Sequence, residues 1–149
     1  MAGNLDLPAM LGQATRWALL SFFLNLPWEA AHIPLYTIDP GKGMRTISYA
    51  VMHCTVGDAV IALAAYVAAA LVVRNAFWPA REPWRGGFIA LVFGLGWTVY
   101  AEWQNVYVTG VWGYTPQMPT LLGIGVSPLL QWLVLPALAF LLVRRWQRT

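Results

Sequence analysis

Four long apolar stretches dominate this chain of 149 residues. They cover about residues 17–36, 50–73, 87–108 and 121–143. Each reaches the roughly 20 residues that a helix needs to cross about 30 Å of hydrocarbon. A membrane β-barrel would instead show short alternating segments. The links at 39–43, 79–86 and 109–120 are short and rich in turn formers, so consecutive helices are antiparallel neighbours. Composition agrees. The chain is 59% apolar and 10% charged, against about 45–50% and about 25% in soluble domains. Too few charges remain to cover a water-facing surface, and the hydrophobicity is too high for disorder. The expected fold is all-α: a polytopic membrane protein whose residues 1–149 form a single transmembrane domain, an antiparallel four-helix bundle.

The basic residues orient it. Arg16, Arg74, Arg81, Arg85, Arg144, Arg145 and Arg148 lie on one side; only Lys42 and Arg45 lie on the other. The positive-inside rule then places both termini in the cytoplasm. Trp17, Trp78, Trp84 and Trp146 fall at the inner interface. Tyr36, Tyr49, Tyr107, Trp112 and Tyr114 fall at the outer one, as aromatic belts. Arg16 is the first basic residue and no small-residue cleavage site follows it, so span one reads as a retained anchor. The first ten residues carry little amphipathic signal and are assigned to the interface. A net charge of +3 is too sparse for a nucleic-acid footprint. The single Cys54 excludes a disulfide framework and a zinc ribbon.

Ionisable groups inside a span are costly and face protein or water. The candidates are Glu29, His32, His53, Cys54, Asp58 and Glu102. At about 1.5 Å per residue, Glu29 lies about 18 Å and His32 and Glu102 about 22 Å from the cytoplasmic edge. His53 and Asp58 lie about 5 and 12 Å below the outer edge. All fall in the outer half of the bilayer. Asn25, Glu29 and His32 are spaced i, i+4, i+7, as are Thr98, Glu102 and Asn105. Cys54 and Asp58 are i, i+4, as are Ser127 and Gln131. Each set shares a helix face. His53 lies about 140° from Asp58 on the wheel, so Asp58 is the better candidate. Pro27 and Pro34 bracket Glu29 and His32, and Pro128 adjoins Ser127. Irregular backbone at membrane depth is tolerated where it lines a cavity. The uncharged third link, broken by Pro116 and Pro119, is expected to cover the outer mouth.

Several chemistries suit this set. Glu29-x-x-His32 has the i, i+3 spacing of di-iron bundles, with His53 as a further metal candidate, but no second such pair is present. His32 and His53 are also a possible haem pair, although carboxylates are poor company for an apolar macrocycle. Ser-His-Asp or Cys-His hydrolysis is less attractive, because Cys54 and His53 are adjacent and diverge. Gly94-x-Gly96 and Gly57 read as close helix contacts, not phosphate loops. Transport has no continuous polar path, since the inner half is dry. Acid–base chemistry needs the fewest assumptions. Glu29 and Glu102 are the acid–base pair, His32 orients or relays, and Asp58 fixes the charge. Asn25, Trp28, Asn105, Trp112, Tyr114 and Gln131 line the site, with Trp97, Tyr100 and Trp103 as further candidates for its walls. The expected ligand is a lipid-like or small hydrophobic molecule. The rival is a non-catalytic subunit of a larger membrane complex or a homo-oligomer, with the same residues as interhelical glue. The cofactor is left open.

The segments Asn25-Leu26-Pro27-Trp28-Glu29, Pro34-Leu35-Tyr36, Gly57-Asp58 and Glu102, with Trp112-Gly113-Tyr114-Thr115-Pro116-Gln117-Met118-Pro119 and Gly125-Val126-Ser127-Pro128-Leu129-Leu130-Gln131, together resemble a group of small four-span bacterial membrane proteins without an assigned function. The resemblance implies a bacterial inner membrane and four spans, and no activity. Trp112-Gly113-Tyr114 and Gly123-Ile124-Gly125 are loosely similar to membrane carotenoid-cyclase domains. The acidic pair of those domains is absent, because Leu129, Leu130 and Gln131 follow Pro128. Sterol-isomerase-type four-span proteins offer a fold-level analogy, which transfers no function.

Overall fold

The computed structural model describes residues 6–38 and 43–146. Residues 39–42 of the first link and Arg148 lie outside the described residues, as do residues 1–5 and the side chain of Trp146. The chain is mostly helical: α1 Leu7–His32, α2 Met44–Val73, a short α3 Trp78–Arg81, α4 Pro83–Trp103 and α5 Val126–Trp146. A 3₁₀ turn (Ile33–Leu35) ends α1, and a π turn (Gln104–Val108) ends α4. A two-residue hairpin, β1 Thr120–Leu121 and β2 Ile124–Gly125, precedes α5.

The boundaries have local causes. Asp6 caps α1 by accepting from the Ala9 amide, and Pro8 sits in the first turn, where no amide donor is needed. The helix thus starts ten residues before the stretch that begins at Trp17. Its α-helical part stops at His32 because Pro34 lacks the donor to extend it. Pro27 is held within the helix. Arg74 closes α2 in the left-handed conformation. The fourth stretch enters its helix only at Val126, since residues 120–125 turn back as the hairpin.

The long helices α1 and α4 both lie against α2 and α5. One buried stripe of α1 explains the arrangement: Met10, Ala14 and Trp17, then Ser21, Asn25, Glu29 and His32. Every step is three or four residues, so all seven share one face. The stripe is apolar in its first half and polar in its second. The buried stripe of α4 makes the same change, from Gly86, Ala90 and Gly94 to Thr98 and Glu102.

At the apolar end, Trp17, Tyr66 and Trp78 meet with ring centroids 5.3–5.7 Å apart. Such aromatic pairs contribute about 0.5–1.5 kcal/mol beyond their buried area. The Tyr66 hydroxyl donates to the Ala76 carbonyl at 2.7 Å. Gly94 admits the Trp132 ring and Gly86 admits Trp78; a Cβ at either position would strike the indole. Gly57 and Gly96 are not close helix contacts, since nothing lies within 4 Å of a Cβ built there. Gly57 instead lines a cavity.

Large apolar side chains cover the outward faces: Leu19 and Phe23 on α1, Val60 on α2, Phe88 on α4 and Leu141 on α5 are all exposed. Of the long helices, α2 and residues 126–145 of α5 are apolar enough along their length to cross a membrane. The polar halves of their stripes dilute α1 and α4.

Candidate functional site

The polar halves of the stripes converge at one end of the molecule. A cavity of about 180 Å³ lies there. Glu29 and His32 of α1 reach it, with Tyr36 just beyond. From α2 come His53, Cys54, Gly57 and Asp58; from α4, Thr98 and Glu102; from α5, Pro128, Gln131 and Trp132. His53 and Asp58 both line it despite their separation on the wheel, because the cavity spans a broad face of α2. The His53 ring stacks on Tyr49, with centroids 5.7 Å apart.

Gln131 is the hub. Its Nε2 lies 2.6 Å from Glu29 Oε1, 2.7 Å from Asn25 Oδ1 and 3.0 Å from Asp58 Oδ2. Asn25 donates in turn to the Ser21 carbonyl at 2.7 Å. An amide nitrogen brings two hydrogens, and here it faces three acceptor oxygens. The Glu29 and Asp58 carboxyls also meet each other, and the Trp132 indole meets Asp58. On its other oxygen, Glu29 Oε2 lies 3.0 Å from His32 Nε2. His32 Nδ1 lies 3.0 Å from Ser127 Oγ.

Glu102 forms a second cluster. Tyr114 donates to its Oε2 at 2.6 Å and Tyr36 to its Oε1 at 3.2 Å. Both oxygens are therefore engaged by phenols. Burial and the bond to Glu102 push the Tyr114 hydroxyl well above the ordinary phenol range, so it stays a donor. The same hydroxyl accepts from the Gly125 amide at 2.9 Å.

The third link is fastened to the exit of α1. Tyr36 and Tyr114 form an antiparallel bridge. The Thr37 amide donates to the Gly113 carbonyl and the Thr115 amide to the Leu35 carbonyl. This pairing brings Trp112 to the cavity wall, its ring against Tyr36 with centroids 6.2 Å apart.

The cavity thus collects Glu29, His32, His53, Asp58, Glu102, Trp112 and Gln131 from the sequence expectations. Asn25 stands behind Gln131, and Tyr114 behind Glu102. Trp28 and Asn105 do not line it, and neither do Trp97, Tyr100 and Trp103, which are exposed on α4. Trp28 precedes inward-facing Glu29 by one residue, about 100° around the helix. Asn105 sits in the wider π turn, which takes it off the Thr98–Glu102 line, and its amide is spent on the Ala101 carbonyl at 2.8 Å. Three partners were not assigned to the site from sequence: Tyr36, Trp132 and Ser127 as the neighbour of His32. The Ser127–Gln131 spacing was the available signal for the last.

Thr98 Oγ1 and Trp112 Nε1 are buried without a hydrogen-bond partner, and both residues line the cavity. Among the described residues, no group of three or more His, Cys, Asp and Glu side chains is set to hold a metal ion. Comparison with protein-family models, curated proteins and solved structures gives no match.

Proposed function

We propose that this chain is a four-span protein of a bacterial inner membrane, with both termini cytoplasmic. Its cavity lies in the outer half of the bilayer, where it binds the end of a lipid-like or small hydrophobic molecule and transforms it by acid–base chemistry. The observation that carries this reading is the cavity beside the Glu29–Asp58–His32 cluster. An apolar cavity near 150 Å³ accepts a benzene ring. Space of this size suits one ring or the end of a chain, with the remainder of the molecule in lipid. Gln131 supplies two hydrogens to three oxygens, and a third hydrogen on the Asp58 carboxyl, directed at Glu29, balances the cluster. That hydrogen is the one the cluster can lend to a ligand, and His32 beside Glu29 can receive one. Glu102, fixed by two phenols, positions and polarises. A ligand oxygen would satisfy Thr98 and Trp112.

The test uses Gly57, which lines the cavity with open space around its missing Cβ. Organic extraction of protein purified in mild detergent, followed by mass spectrometry, is expected to release a hydrophobic molecule at near-stoichiometric ratio. Gly57→Phe is expected to fill the space and lose that molecule. Equal recovery from both proteins would sink the binding reading.

A second reading, a subunit of a larger membrane complex, draws on one observation. Trp97, Tyr100 and Trp103 form an exposed ladder of rings on α4, with successive centroids 5.9 and 6.4 Å apart. Native electrophoresis of membranes solubilised with mild detergent separates the two, since a subunit would run at a fixed higher mass.

A further inference from the structure

We infer that Ser127, His32 and Glu29 form a nucleophile–base–acid chain, and that the molecule taken by the cavity is an acyl ester cleaved or transferred there. This rests on the proposal that the cavity admits the end of a lipid-like molecule, and it adds the reaction class and the attacking atom.

The geometry comes first. Ser127 Oγ and His32 Nδ1 are 3.0 Å apart, from residues 95 positions apart in sequence. His32 Nε2 and Glu29 Oε2 are also 3.0 Å apart, and Gln131 holds the other Glu29 oxygen at 2.6 Å. A hydroxyl within reach of a base, with the base oriented by a third group, is the general pattern of an activated nucleophile. It is recognised by geometry, not by chain order. His32 and Glu29 are buried, and Ser127 is half-buried beside cavity-lining Pro128. With Nε2 against a carboxylate, a neutral imidazole carries its hydrogen there. Nδ1 is then bare and faces the hydroxyl.

The backbone adds a second feature. Ser127 lies in the first turn of α5, directly after β2. The first amides of a helix have no partner within it. The Gly125 amide goes to the Tyr114 hydroxyl and the Val126 amide to the Pro119 carbonyl, while Pro128 has none. What remains is the amide of Ser127 itself, next to its own Oγ. A nucleophile's own amide is a recurring donor to the oxyanion of acyl transfer.

The steps balance. Ser127 Oγ bonds to the ester carbonyl carbon as its proton passes to His32 Nδ1. Glu29 offsets the imidazolium charge, and the carbonyl electron pair moves to oxygen near the Ser127 amide. The tetrahedral centre collapses, the ester C–O bond breaks, and the leaving alkoxide takes the proton from Nδ1. Water, or an acceptor hydroxyl, then attacks the acyl-serine through the same base, releasing acid or new ester and restoring Ser127.

An alkyl fluorophosphonate, which reacts with activated serines, tests this on the full chain in detergent. The expected result is one covalent adduct located on Ser127 by peptide mass spectrometry. It should be absent in Ser127→Ala and at least about 100-fold slower to form in His32→Gln, the scale of general-base assistance. Absence of the adduct in folded wild-type protein overturns the inference without reference to any variant. So does labelling that His32→Gln leaves unchanged. If wild type retains its extracted molecule and Gly57→Phe loses it while no adduct forms, the pocket stands and the acyl chemistry falls. If extraction is identical for both, the pocket reading itself has failed.

Discussion

Gln131 shows how much a single side chain can organise. Its amide reaches acceptors on two other helices, Asn25 and Glu29 on α1 and Asp58 on α2. A leucine in its place would leave those oxygens without their common donor. A buried polar group stripped of its partner costs about 1–3 kcal/mol. Gln131→Leu is therefore expected to lower unfolding stability in mixed micelles by at least that amount, measured by denaturant titration. Residue identity carried most of this site, because buried acids and amides are few in a chain with 10% charge. Asn25, Glu29 and His32 were legible from spacing alone, since one helix face is fixed by the 3.6-residue turn. The roles of Tyr36 and Tyr114 were not. Their hold on Glu102 depends on a bridge between segments 78 residues apart, which no local periodicity encodes.

At the scale of elements, helix existence follows from apolar length, and helix ends follow from chemistry that an apolar window ignores. Asp6 and Pro8 extend α1 backwards past its hydrophobic stretch. The hairpin takes the first five residues of the fourth stretch, 121–125, away from α5. The π turn is equally invisible in the composition of Gln104–Val108, and it is what removes Asn105 from the cavity. Close approach of α4 and α5 hinges on Gly94, which faces the Trp132 indole. A side chain there must displace a buried ring. Overfilled cores lose about 1–3 kcal/mol, sometimes more. Gly94→Leu is expected to lower the midpoint of thermal unfolding by several degrees. Gly96→Ala, which meets nothing within 4 Å, should leave it unchanged or slightly raised, because alanine favours helix.

For the molecule as a whole, the contrast is between its two ends. One is closed by Trp17, Tyr66 and Trp78; the other holds acids, amides and a cavity. Large apolar side chains are exposed on all four long helices, which fits lipid contact. The proposed orientation places the aromatic end toward the cytoplasm. Reporter fusions check it: a reporter active only outside the membrane should be silent when fused after Arg81 and active when fused after Thr109. The reverse pattern would invert the proposed sidedness, and activity at both positions would rule out four crossings.

Alanine-lined helices have a problem of their own. The buried face of α2 is Ala62, Ala65, Ala69 and Ala70 beside Tyr66, and small uniform side chains look much alike after a shift of one turn, about 5.4 Å. The alanines by themselves resist such a slide weakly, and Tyr66 alone among them is anchored, by its ring contacts and its bond to Ala76. The polar halves of the stripes remove that freedom, because Gln131 can meet Asn25, Glu29 and Asp58 together at only one height. The cluster therefore serves as a key that indexes the helices vertically, as a buried polar residue sets the register of a coiled coil. Where the cavity sits along the molecule is decided by the same four side chains that line or back it.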